Sequence, residues 1–371
     1  MDQRPGRPVS ETALHHGTAT KPRLTRAALG MALCATLLVV ACLASLAIGP
    51  VRVPPRQVVT ILLDALVGQR SASGAALRET VIVLDIRLPR TLLGLLVGSG
   101  IATAGAVMQG IFRNPLADPG LIGVSNGAAL AAVIWIVLGA HVADLLPPML
   151  ADAGLPLVSF LGALFATVTL YLIATYQGRT SVPTMLFAGI AIGALASAGT
   201  GIMIFMASDQ QLRDFTFWSF GSLGGATWRK VLAALPFMLF LALIASRLGR
   251  PLDALALGEA EAFHVGVDVQ RTKRVAIAGI AAGAGAAVAV AGVIGFIGLV
   301  VPHLVRLALG PAHRTLLPAT ALLGGALLLG ADVIARTIAS PAELPLGVVT
   351  AALGAPFFIG LLMRRRGALF G

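Results

Sequence analysis

The sequence is short of lysine, acid, aromatic residues and cysteine, and each shortage removes a class of protein. Only three of its 371 residues are lysine, at 21, 230 and 273, and none follows a glycine. No G-x-x-x-x-G-K-[ST] stretch occurs, so the chain has no P-loop and no visible means of hydrolysing ATP by itself. H-E-x-x-H, C-x-x-C and a post-strand G-x-G-x-x-G are also missing, which leaves no motif for a zinc protease, a dithiol or a dinucleotide site. No metal site and no catalytic set is visible. The two cysteines, Cys34 and Cys42, share one apolar run. Eight helical positions separate them by about 12 Å, too far for a disulfide, so they say nothing about redox compartment. Aromatics are 5% of the chain, which argues against a membrane barrel with its aromatic girdles and alternating strands.

What remains is greasy and small. The chain is 57% hydrophobic and 12% charged, has 43 glycines, and has a mean hydropathy of +0.91. A water-soluble domain cannot bury that much apolar surface, whereas a bilayer solvates outward-facing apolar groups. Ten runs have the length of spanning helices: 27–49, 91–111, 121–140, 156–176, 183–206, 229–247, 271–291, 294–309, 315–337 and 344–363, the eighth being short. The first is longer than the apolar core of a signal peptide and is followed by many spans, so it reads as an uncleaved span. Residues 1–26 read as a disordered basic tail, and 27–371 as a single ten-helix domain. The expected fold class is therefore all-α and polytopic.

The net charge of +11 would suggest nucleic acid on a soluble protein. Here the cations lie in tails and loops, so orientation in a membrane is the better explanation and no nucleic-acid partner is expected. Arg4, Arg7, Lys21, Arg23 and Arg26 precede the first span, and Arg364, Arg365 and Arg366 follow the last. An even number of spans puts both termini in the cytoplasm, together with the basic loops near 113, 179, 250–270 and 312. The loop at 141–155 holds Asp144 and Asp152 without arginine or lysine and falls outside. Residues 50–90 break the pattern, because an outer loop should not carry Arg52, Arg56, Arg70, Arg78, Arg87 and Arg90.

Small residues recur at helix-face spacing. Gly189, Gly193, Ser197 and Gly201 form an unbroken series on the fifth span, with shorter series at Gly94/Gly98 and Gly279/Gly283. Such stripes let helices approach closely in lipid. The fifth-span series admits a second use, setting the width of a path through the protein. Two segments echo one another, RLPRTLLGLLVGSGIATAGAVMQGIFRNP and RTKRVAIAGIAAGAGAAVAVAGVIGFIGLVVP, each running from paired basic residues through small-residue helix to proline; duplicated halves are common in transporters.

Gly123-Val124-Ser125-Asn126-Gly127 matches the G-x-S-x-G of serine hydrolases, and His303 could serve as its base. The motif works on a strand-to-helix elbow, and the preceding Asp118-Pro119-Gly120 is a turn, so a hydrolase is disfavoured. An ion-coupled transporter should carry ionisable groups in mid-membrane, and almost none occur; Asp332 is the nearest. The stretch MQGIFRNPLADPGLIGVSNG, residues 108–127, has its own role as a tight, proline-stiffened corner between two spans, with Asp118 placed for the positive end of the third helix.

That corner is also where the chain resembles something known. RLPRTLLGLLVGSGIATAGAVMQGIFRNPLADPGLIGVSNGAAL, GVIGFIGLVVPHLVRL, ADVIAR and ELPLGVVTAALGAPFFIGLL, in that order over about residues 80–365, resemble the FecCD/BtuC-type permeases that import iron-siderophores, heme and vitamin B12 with ABC-type ATPases. The resemblance implies a type II ABC importer permease: a homodimer of ten-helix subunits in the bacterial inner membrane, surrounded by lipid. Two ABC ATPase subunits carrying ATP and magnesium dock on its inner face, and a periplasmic substrate-binding protein delivers the ligand. It implies no permanently bound cofactor.

It also assigns residues. The segment 252–268 matches the coupling segment, with Leu257, Gly258, Glu259, Ala260, Glu261, Phe263, His264 and Gly266 at its centre. Arg87, Arg90 and Arg336 match positions that face the binding protein; Arg336 could instead pair locally with Asp332. The segment 209–228, DQQLRDFTFWSFGSLGGATW, is closer to heme permeases than to vitamin B12 ones. Arg213 would then meet a heme propionate, and Met203, Phe205 and Met206 the ring, although methionines also fill gaps between helices. A siderophore remains the alternative ligand, and cobalamin a third.

Overall fold

The structure, a computed structural model, describes residues 21–68, 74–139 and 147–369. It is helical almost throughout. α1 (Lys21–Ala47) is followed by α2 (Pro55–Leu66) and α3 (Gly74–Val81), and a π-helical turn (Ile82–Arg87) joins α3 to α4 (Leu88–Phe112). α5 (Val124–Leu138), α6 (Pro148–Ala174), α7 (Val182–Met206), α8 (Asp209–Ser219) and α9 (Trp228–Leu257) come next. The chain closes with α10 (Glu259–His264), α11 (Val269–Ala291), α12 (Ile297–Leu309), α13 (His313–Thr337) and α14 (Leu346–Leu369). The two strands are β1 (Thr175–Tyr176) and β2 (Arg179–Thr180), an antiparallel hairpin with Thr175 opposite Thr180. Gln177 and Gly178, both at positive φ, make its two-residue turn.

Each of the ten expected spans meets a helix. Among the described residues, seven helices are long and apolar enough to cross a membrane: Arg26–Ala47, Ala76–Phe112, Ala153–Ala174, Val182–Met206, Trp228–Leu257, Val269–Ala291 and His313–Thr337. The other three are shorter apolar helices, Val124–Leu138, Ile297–Leu309 and Leu346–Gly360. Boundaries moved where polar residues proved to be helical. The second span reaches back to Ala76, so much of the presumed loop 50–90 is helix. The sixth runs on to Leu257 through Pro251. Of the tail expected to be disordered at 1–26, residues 21–26 belong to α1; residues 1–20 lie outside the described residues.

α4 and α11 form the centre of the bundle, and both are small-residue helices. Their glycines are where neighbouring backbones meet. A Cβ on Gly98 would stand 2.5 Å from the Gly324 carbonyl oxygen of α13, and one on Gly105 would stand 1.9 Å from that of Gly298 on α12. The Gly279/Gly283 stripe of α11 accepts Ile244 and Leu241 of α9 in the same way. The stripes on the second and seventh spans are thus packing surfaces. α1 stands at the periphery, with most of its residues outside the core.

The corner after α4 is a chain of local hydrogen bonds. Arg113 (φ 49°) caps α4, Asn114 N–H donates back to Gln109 O, and Leu116 N–H donates to Asn114 Oδ1. Asp118 Oδ1 accepts Gly120 N–H at 2.8 Å and starts a single 3-10 turn, Pro119–Ile122. α5 begins only after that turn, so Asp118 caps the turn and not the third long helix. The carboxylate is held close to Gly298, at the start of α12. Burial pushes its pKa up from the ordinary carboxylate value.

Candidate functional site

α9 and α10 are separated by Gly258 alone. Its φ of 138° lies in a region closed to most side chains, and it turns the chain sharply into the six-residue α10. The expected coupling segment 252–268 therefore has two parts. Residues 252–257 are the last turns of a spanning helix, and residues 258–268 form a knob. One side of the knob is anchored: Ala262 is fully buried, Val267 N–H donates to Ala262 O, and Gly266, at φ 84°, closes the turn. The other side is bare. Leu257, Phe263 and Val265 are 74%, 71% and 68% exposed, and Glu259, Ala260, Glu261 and His264 sit around them. An open hollow of about 1020 Å³ lies alongside, lined by Glu259, Ala260, Phe263, His264, Gly266 and Arg179 among others.

The anchor depends on Lys273, which sequence reasoning missed. Its ammonium, on α11 and 1% exposed, donates to Glu259 Oε1 at 2.7 Å and to Thr180 O at 2.8 Å. Gln270 Oε1 accepts Thr180 N–H. The knob, α11 and the hairpin are thereby joined. The one available signal was rarity, a lone lysine inside an apolar helix.

The opposite end of the bundle carries the arginines expected to face a partner, and in the single chain they are buried. Arg87, Arg90 and Arg336 are 4%, 8% and 3% exposed. Arg90 pairs with Asp332 at 2.8 Å through Nε and Nη2 and with Glu343 at 2.8 Å through Nη1 and Nη2, so Nη2 donates to both carboxylates. Arg336 lies 3.6 Å from the same Asp332, the local i,i+4 pair, and donates to Ser45 O. Arg87 donates to Leu46 O, Ala47 O and Val51 O. Three cations meet two carboxylates, and the remaining positive charge faces the carbonyls that end α1, where a helix dipole favours a cation. Their physical role is to fasten α1, α4 and α13 at one end. Among the described residues, Arg52, Arg56, Arg78 and Arg229 are exposed near that end.

The fifth-span series divides along α7. Gly189 and Gly193 are buried, and a Cβ on them would meet Leu121 O and Asn126 Nδ2, so they seat α7 on the corner and on α5. They line no path within this chain. Ser197 and Gly201 have rotated off the contact and are exposed; a Cβ on Gly201 would meet nothing within 4 Å. Beyond them Met203 is half-buried, Phe205 is 90% exposed and Met206 is exposed. Ser208 caps α8 with a reciprocal Gln211 contact, which fixes the bend between α7 and α8. Arg213 stands exposed on α8 and donates to Gln210 Oε1 at 3.0 Å.

Ser125 lies in the first turn of α5 after a 3-10 turn, not after a strand, so the hydrolase elbow is not formed. His303 is buried on α12 with its ring 6.4 Å from those of Phe357 and Phe358. Among the described residues no group of His, Cys, Asp and Glu could hold a metal ion.

Comparison with known proteins agrees with this architecture. The chain is 44% identical over 283 residues to the hemin transport system permease protein HmuU of Yersinia pestis, covering 76% of this chain and 83% of that protein. It is 44% identical over 285 residues to the cobalamin import system permease protein BtuC of Halobacterium salinarum, covering 77% and 74% respectively. The vitamin B12 permease BtuC of Klebsiella pneumoniae is 39% identical over 315 residues, covering 83% and 91%. A solved structure described as an inward-facing conformation of a metal-chelate type ABC transporter superposes with a TM-score of 0.77 at 29% identity, covering 90% of this chain and 98% of that one. The profile of the FecCD transport family matches residues 37–364. With its ten-helix order, its glycine-packed centre and its lack of a P-loop, the chain belongs to the FecCD transport family, as a membrane permease of the metal-chelate, heme and vitamin B12 type of ABC importer.

Proposed function

We propose that the chain is the membrane subunit of a bacterial inner-membrane importer for heme, driven by ATP hydrolysis on two partner ATPase subunits that hold the nucleotide and magnesium. Both termini lie in the cytoplasm, and a periplasmic binding protein delivers the ligand to the far face. The observation that carries the coupled mechanism is the knob at 258–268. Leu257, Phe263 and Val265 stand bare on a mount held by a half-buried ion pair, as a rigid contact for a partner's groove requires. Motion imposed there enters α9 directly.

The second copy of this chain packs along α7, whose outward Leu186, Phe187, Ile190, Leu195 and Ile202 are exposed in the single chain. Ser197 and Gly201 border the path at that junction, and Met203, Phe205, Met206 and Arg213 meet the ligand at its outer mouth. Heme presents two propionates for Arg213 and a flat apolar ring for the others. A ferric siderophore is the second reading and cobalamin the third, since relatives named for heme and for cobalamin are equally similar. With the buried arginines occupied, the exposed Arg52, Arg56 and Arg78 would meet acidic residues of the binding protein.

The test is co-purification with the partner ATPase, followed by proteoliposome uptake of heme, a ferric siderophore and cobalamin side by side. Heme uptake should lead and should fall about tenfold in Arg213→Ala with assembly intact. The loss of one charge-assisted hydrogen bond, about 1.5 kcal/mol, sets that size. Faster uptake of either other ligand would overturn the heme assignment.

A further inference from the structure

A cleft of about 760 Å³ opens on the side of the bundle between α1, α4, α9 and α13. That size lies within the roughly 300–1,000 Å³ of small-molecule sites. Its two ends differ. At the end of the bundle that carries the knob, Arg247, Arg250 and Arg314 line it, with no carboxylate among the lining residues. All three arginines are exposed, and no ion pair engages Arg247 or Arg250 among the described residues. The N-terminus of α13 lies there too, but its first N–H, on His313, donates to Asp253 Oδ1 at 2.8 Å, so the three arginines and not the helix end supply the field. Toward mid-membrane the lining becomes Leu38, Leu95, Ala242 and Leu322. Arg314 and Leu322 are eight residues apart on one helix, so charge gives way to hydrocarbon over about 12 Å.

We infer that this cleft is a binding site for one anionic diacyl phospholipid, its phosphate among Arg247, Arg250 and Arg314 and one acyl chain along Leu38, Leu95 and Leu322. A soluble anion would leave the apolar half empty, and a zwitterionic lipid would leave the cationic end uncompensated. The cleft lies on the flank formed by α1 and α9, away from the bare face of α7. The inference needs only that the chain spans a membrane; it is independent of which ligand is imported.

The experiment is native mass spectrometry of the full chain in detergent, titrated with dioleoylphosphatidylglycerol or dioleoylphosphatidylcholine. Phosphatidylglycerol should bind at least tenfold more tightly. Each arginine near a membrane surface contributes about fivefold to anionic-lipid binding, so R247Q/R250Q/R314Q should weaken it roughly a hundredfold. Arg113→Gln, at the same end but outside the cleft, should change nothing. Ala242→Trp fills the apolar half without altering charge and should also abolish tight binding. If the triple glutamine variant does not fold, the triple lysine variant, which should retain most binding, and Ala242→Trp carry the test. Equal binding of the two lipids, or full binding in Ala242→Trp, would overturn the inference. So would displacement of phosphatidylglycerol by inorganic phosphate at equal concentration.

Discussion

Lys273 Nζ lies 2.7 Å from Glu259 Oε1, so a fully buried ammonium on a spanning helix is neutralised by the first residue of α10, in the exposed knob. The pair makes the position of the knob depend on the core of the bundle. Glu259→Gln leaves the ammonium with the Thr180 carbonyl and a neutral amide. It should cost about 1–3 kcal/mol of stability, and Lys273→Met/Glu259→Gln should recover most of that. Thermal unfolding in detergent measures both. In the assembled complex, the single variant should lower uptake per ATP hydrolysed more than it lowers hydrolysis itself.

Asp332 is 1% exposed and shared by Arg90 and Arg336. Asp332→Asn would leave the buried Arg336 without a carboxylate and Arg90 with Glu343 alone. A loss of about 3–5 kcal/mol is expected, the usual cost of removing one partner from a buried pair. An unchanged melting temperature would show that the guanidiniums are satisfied by water.

Glu343 is the outer member of that network. The Arg90 guanidinium, chiefly by hydrogen bonding and then by its charge, holds the Glu343 carboxyl below its ordinary value. A carboxyl lowered on folding adds stability above its unfolded pKa of about 4.3 and loses it as pH falls through the folded value. Because the side chain is partly exposed, Glu343→Gln should cost under about 1 kcal/mol at neutral pH. Below pH ~4.3 the variant's melting temperature should fall less steeply than that of the wild type, and parallel curves would refute the linkage.

Two glycines separate packing from passage. Gly105→Ala puts a methyl against the Gly298 backbone and should destabilise by about 1–3 kcal/mol through overpacking. Gly201→Leu meets nothing in the single chain. It should leave the melting temperature of the monomer in place and cut uptake by the complex. Normal uptake in Gly201→Leu would remove α7 from the path.

Hydropathy alone made the ten helices legible, because lipid imposes length on apolar runs, and the corner at 113–123 was announced by Pro115, Asp118 and Pro119. What hydropathy misjudged were helices made of polar residues. The approach to α4 through Glu79 and Arg87 looked like a loop because these groups are hydrogen-bonded by residues far away in sequence, Gln57 and Leu46. Arg90 finds its partners at 332 and 343, a separation no local pattern reveals. For the same reason the buried arginines read as surface groups. The knob was located by resemblance, but its anchor at Lys273 required tertiary structure. The Gly189–Gly201 series ran straight in sequence yet drifts around α7, since four-residue spacing advances about 40° beyond a full turn at each step.

α9 is one helix of 30 residues ending at the knob, about 45 Å from tip to tip at 1.5 Å per residue. A helix of that reach, pivoting where Ile244 and Leu241 rest against α11, behaves as a lever. A tilt of about 5° swings one tip by roughly 4 Å relative to the other. Pro236 and Pro251, one near each end, are where such a beam would flex and lose stroke. With the pivot near the middle of α9, a displacement delivered at Phe263 would reach the far surface at about equal size and in the opposite direction, with no need for any helix to unwind.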